Sequence, residues 1–86
     1  MEQIQLTNIE KKFISELQIG SKPEKIKNSF GGNEIVLDPQ AVAIHDFIKG
    51  AELSIAMGNR SLVSDFDMAR NLFRKLYPDA YYDLLD

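Results

Sequence analysis

The stretch from Asp38 to Gly58 constrains this chain more than any other, because it carries its own start, stop and apolar stripe. Asp38 is a favoured helix N-cap, and Pro39 takes the first helical position, where its missing amide hydrogen leaves no bond unmade. Ile44, Phe47, Ile48, Ala51 and Ile55 then recur at helical spacing, widened by Ala41 and Ala43. Gly58 supplies the stop. In a chain of 86 residues, a helix over 39–57 is set to be the central strut.

The same length limits what can be built around that strut. One domain, 1–86, is expected, and a chain this short buries only about 60% of its unfolded surface. Cysteine is absent, so no disulfide or thiolate metal site can help. Stability must come from a hydrophobic core or from association. The hydrophobic content of 44% is that of a globular chain, with five Phe and three Tyr as bulky packing and no Trp.

Two further helices are punctuated nearly as well. Thr7-Asn8-Ile9-Glu10 fits the capping box, in which the Thr hydroxyl and the Glu carboxylate each satisfy an orphan amide. Leu6, Ile9, Phe13 and Leu17 then give an apolar stripe, with Lys11, Lys12 and Glu16 outside it, and Gly20 offers a stop. This predicts a helix over 7–18. Ser64 can cap a helix over 64–77, with Asp65 and Asp67 in its positive first turn and Arg70, Arg74 and Lys75 towards its negative end. Its buried stripe is Phe66, Ala69, Leu72, Phe73 and Leu76. Pro78 ends it and begins a short helix over 79–85, with Tyr81, Leu84 and Leu85 on one side and Tyr82 on another.

Between the first two helices, Pro23 is set to open a short helical turn through Lys27, broken by Gly31-Gly32-Asn33. Lys22, Lys25 and Lys27 are the local basic cluster, read as a solvated connector or as a phosphate-contacting loop. The Gly-Gly pair lacks the following Lys-Ser/Thr of a phosphate-binding loop. Glu34-Ile35-Val36-Leu37 is short and β-branched and is expected to pair with Ile4-Gln5-Leu6. The fold expected is mainly α: a bundle of about four helices with at most a minor two-stranded ribbon. The predicted core is Phe13, Leu17, Ile44, Phe47, Ile48, Ala51, Ile55, Phe66, Ala69, Leu72, Phe73 and Leu76. Gly50, inside the central helix, costs about 1 kcal/mol relative to Ala. Close approach of another helix is the expected compensation, and a ligand against the backbone is the alternative.

Candidate chemistry is sparse. His45 is the one histidine, expected half-exposed on its helix, and zinc needs three or four ligands. Asp65 and Asp67, two residues apart, point to different sides of a helix. Asp79, Asp83 and Asp86 form a solvated acidic ridge. No catalytic residue, cofactor or metal site is therefore predicted, and an enzyme is not expected. Charge is mild: residues 1–33 carry five Lys and four Glu, a net of +1, and residues 34–86 carry five basic and nine acidic groups, a net of −4. Nonspecific nucleic-acid binders show a denser basic face, so a protein partner is favoured. Arg70, Arg74, Tyr81 and Tyr82 are the expected contacts, since Tyr and Arg dominate interface hot spots.

The opening Met1-Glu2-Gln3-Ile4-Gln5 lacks the basic and apolar runs of a secretory leader, and no window approaches the ~20 apolar residues of a membrane span. A cytoplasmic, membrane-free protein is expected.

Two stretches carry a resemblance. One runs Asp38-Pro39-Gln40-Ala41-Val42-Ala43-Ile44-His45-Asp46-Phe47-Ile48-Lys49-Gly50-Ala51-Glu52. The other comprises Phe66, Ala69-Arg70, Phe73, Tyr77-Pro78, Tyr81 and Leu84-Leu85-Asp86. Together, over residues 34–86, they resemble small uncharacterised proteins of tailed bacteriophages and prophages, especially those of Bacteroidetes-type hosts. The resemblance implies no catalytic residues. It implies an accessory protein in the bacterial host cytoplasm that binds a host macromolecule stoichiometrically, for host takeover or anti-defence, a CRISPR inhibitor being one example. The partner is then a host or phage protein, ribonucleoproteins included. The alternatives are a virion or assembly component that self-associates, and a nucleotide- or RNA-binding module using the lysine segment and the Tyr/Arg surface.

Overall fold

Helix signals dominate this chain, and the computed structural model, which describes residues 5–27 and 34–85, is a mainly α domain. Its elements are α1 (Asn8–Glu16), β1 (Glu24–Lys27), β2 (Glu34–Leu37), α2 (Pro39–Ala56), a 3₁₀ turn (Arg60–Leu62), α3 (Val63–Leu76) and α4 (Pro78–Leu84). The core lies where α2 crosses α3. Ala41, Ile44 and Ile48 meet Ala69, Leu72 and Phe73 there, all essentially inaccessible to water. Leu37 closes this core from the ribbon side, and Ala80 and Leu84 close it from α4.

The caps of α2 follow from local chemistry. The Asp38 carboxylate accepts from the Ala41 amide at 2.8 Å. At the other end Gly58 adopts φ +107°, a conformation costly for any side-chain-bearing residue. Its amide donates to the Ile55 carbonyl at 2.9 Å, and the Asn59 amide donates to Ser54 at 3.0 Å.

Several expectations are corrected by packing. α1 has its capping box, but Ile9 is 71% exposed while Glu10 is buried. The cause is Lys75 of α3, whose ammonium donates to both Glu10 carboxylate oxygens at 2.9 and 3.1 Å. That pairing rotates α1 so that Glu10, Phe13, Ile14 and Leu17 face inward. The helix also ends at Glu16, before Gly20, because Leu17 turns extended to reach the core.

β2 pairs with β1, antiparallel, and not with the segment around Gln5 and Leu6; Ile4 lies outside the described residues. The register sets Glu24 opposite Leu37, Ile26 opposite Ile35 and Lys27 opposite Glu34. Ile26 is the one apolar residue of 24–27, and pairing opposite Ile35 half-buries it, which a solvated helical turn would not. The expected turn after Pro23 is therefore absent, and Gly31-Gly32-Asn33 lies outside the described residues. Ser64 sits inside α3, not at its cap: the 3₁₀ turn leads directly into the helix, and the Val63 amide already bonds the Arg60 carbonyl.

Of the predicted core, Ile44, Ile48, Ala51, Ala69, Leu72 and Phe73 are buried, whereas Phe13, Leu17, Phe47, Ile55, Phe66 and Leu76 are half-buried. Phe13 and Phe47 instead pack edge to face, with centroids 4.9 Å apart, over the flank of the core. Gly50 is also corrected. Among the described residues a Cβ there would meet nothing within 4 Å, and none of the described helices presses on it.

This last point is testable. With open space at the site and helical backbone around it, Gly50→Ala is expected to stabilise the protein by about 0.5–1 kcal/mol. Urea denaturation of both chains measures it, and a lower midpoint for the variant would show that something unaccounted for approaches this backbone.

Candidate interaction surface

Helical periodicity puts Arg70 and Arg74, four residues apart, on one face of α3. The Pro78 turn folds α4 back against α3, and burial of Ala80 and Leu84 fixes its rotation so that Tyr81 crosses to the arginines while Tyr82 points outward. The four predicted contact residues are thereby assembled into one patch. Arg70 Nη2 donates to the Tyr81 hydroxyl at 3.1 Å, and its guanidinium lies over the Phe66 ring, 5.5 Å from the centroid. The Arg74 guanidinium stands 6.0 Å from the Tyr81 ring centroid. Tyr81 and Tyr82 meet edge to face at 6.2 Å, and Tyr82 is 64% exposed.

These contacts divide the roles. Arg70 is half-buried and held from two sides, so it orders the patch. Arg74 and Tyr82 are exposed and available to a partner. Beside them a cleft of about 370 Å³ is floored by Ile48, Phe66 and Leu84 and edged by Lys49, Glu52 and Arg70. Lys49 and Glu52 stand 3.9 Å apart on its rim. Of the acidic ridge, Asp79 is exposed, Asp83 is half-buried with an interaction of its own, and Asp86 lies outside the described residues. Sequence reasoning missed the cleft, because its floor draws residues from three helices.

A polar clamp holds the C-terminal end of α3. The Tyr77 hydroxyl accepts from Gln40 Nε2 at 3.0 Å and donates to the Asp38 carboxylate at 3.3 Å. Burial, opposed by the Gln40 bond and assisted by Asp38, raises its pKa above the ordinary tyrosine value. Burial would likewise raise the Glu10 carboxyl, but the Thr7 amide and Lys75 outweigh it and lower its pKa below the usual value.

Lys22 precedes β1, and Lys25 and Lys27 are exposed on it, with Lys27 opposite Glu34. Lys22 borders a cleft of about 330 Å³ together with the acidic Glu24 and Asp46.

His45 is buried, contrary to the half-exposed position expected, because it lies on the α2 face that meets Phe73. Among the described residues its Nδ1 finds no hydrogen-bond partner, and an Asp46 carboxylate oxygen lies 3.7 Å away. Burial lowers its pKa, the Asp46 carboxylate opposes this, and Lys49 adds to the lowering. Among the described residues no cluster of His, Cys, Asp or Glu is placed to hold a metal ion. No protein-family model, curated protein or solved structure matches this chain.

Two predictions follow from this geometry. Because the folded-state pKa of His45 lies below that of free histidine, the unfolded chain protonates first as pH falls. Its contribution is complete above pH about 6.5 and is lost progressively below it. Urea midpoints measured between pH 8 and 5 are expected to fall in the wild type, and His45→Gln is expected to flatten that fall.

The second concerns the arginines. Arg70→Ala removes a hydrogen bond and a ring contact and is expected to cost about 1 kcal/mol. Arg74→Ala is expected to change stability by no more than about 0.5 kcal/mol. Equal losses in chemical denaturation would contradict the division of roles.

Proposed function

We propose that this protein is a phage-type accessory factor that binds a host macromolecule stoichiometrically through the α3–α4 face. The observation that carries this reading is the Arg70–Tyr81–Arg74–Tyr82 patch. Its central arginine and tyrosine already hold each other, so little side-chain freedom remains to be lost on binding. Tyr82 offers a rigid amphipathic ring and Arg74 a cation, a combination enriched in interface hot spots. The neighbouring cleft between α2, α3 and α4 can take an apolar side chain of the partner.

The resemblance of residues 34–86 to small phage and prophage proteins supplies the setting: host takeover or anti-defence, CRISPR inhibition included, in a bacterial host cytoplasm. The favoured partner is a host or phage protein, ribonucleoproteins included. No described helix is long and apolar enough to cross a membrane.

The test is capture from host lysate with tagged wild type and with Arg74→Glu combined with Tyr82→Ala. Both side chains are exposed, so the variant is expected to fold, which circular dichroism checks. Its partner retention is expected to fall at least tenfold, a change of about 1.4 kcal/mol. Undiminished capture, together with undiminished protection of an infecting phage, would rule out this face.

A further inference from the structure

The rotation that buries Glu10 turns Phe13, Ile14 and Leu17 towards the core and leaves Ile9 outside it. Ile9 is 71% exposed. It stands at the edge of a groove of about 410 Å³ between α1, α2 and α3, floored by Phe13, Phe47 and Met68. The rim carries Lys12, Glu16 and Asp65. None of these three forms an ion pair within the described residues.

We propose that this groove is a self-association surface, occupied by α1 of a second copy of the chain. Charge complementarity selects this occupant. Lys12 and Glu16 stand one turn apart on the α1 edge and Asp65 lies on the α3 edge, so the α1 edge itself carries both signs. The rim is matched by a surface bearing the same charges in reversed order. A two-fold axis produces that order without further design, because an isologous contact sets each patch against its own copy. It runs the two α1 helices antiparallel. Lys12 of each copy then approaches Glu16 and Asp65 of the other, and Ile9 of each enters the other's groove.

The size of the surface sets the strength. α1 has nine residues, so it is only about 13–14 Å long at 1.5 Å per residue. A stable interface takes about 800 Å² from each partner, more than this face and its rim supply. The dimer is therefore weak and in exchange with monomer, formed where local concentration is high. This surface is separate from the α3–α4 patch, so either proposal can fail alone.

Sedimentation equilibrium over roughly 10 µM to 1 mM tests it, at low salt where exposed charges are least screened. The wild type is expected to shift from monomer to dimer across this range. Ile9→Asp is expected to weaken association at least tenfold. The substitution falls in the first turn of α1, where a carboxylate suits the helix dipole, so the monomer is expected to keep its circular dichroism and melting midpoint. Lys12→Glu provides a second surface variant that leaves the core untouched, and it too is expected to weaken association. Mixing Lys12→Glu with Glu16→Lys is expected to restore dimer, since the two rims become complementary. The proposal is overturned by a wild type that stays monomeric to 1 mM, by a dimer that Ile9→Asp leaves intact, or by a mixture no tighter than its components.

Discussion

The contact of α2 with α3 is the constraint on which the remaining structure depends. Ala41 and Ala69 are small enough to bring the helices close, and Ile44, Ile48, Leu72 and Phe73 fill the space beside them until no water reaches any of the six. A chain of this length has room for one such core. Leu37, Ala80 and Leu84 reach it from the ribbon and α4, and Phe73 also packs against the Tyr77 ring at 5.5 Å. The peripheral elements are too short to stand alone: α4 has seven residues and the ribbon two four-residue strands.

Polar contacts orient these peripheral pieces rather than hold the molecule together. Glu10 serves twice, completing the capping box of α1 and receiving Lys75. A shielded carboxylate with good partners favours one rotation of the helix, because any other would break its pair with Lys75. Tyr77 does similar work between the N-cap of α2 and the end of α3. His45 is the exception, a buried imidazole whose Nδ1 has no partner among the described residues, beside an exposed carboxylate.

The α3–α4 patch and the α1 groove are the two outward consequences of these restraints. One is polar and held in place by its own contacts. The other is apolar because a salt bridge took the inward position that Ile9 would otherwise have filled.

What the sequence by itself determined is what local chemistry encodes. Asp38-Pro39 and Gly58 bound α2, Thr7 and Glu10 start α1, and Pro78 separates α3 from α4, because caps and breakers act within a few residues of themselves. The helical count and the grouping of Arg70, Arg74, Tyr81 and Tyr82 were legible for the same reason: helical spacing sets two of the positions and a short turn sets the other two. Only the tertiary structure decided which strand meets β2, which side of α1 faces inward, that His45 is buried and that Gly50 is not pressed. Each of these depends on what lies opposite, Ile26 across from Ile35 or Lys75 across from Glu10. Such partners are distant in sequence, and no local period records them.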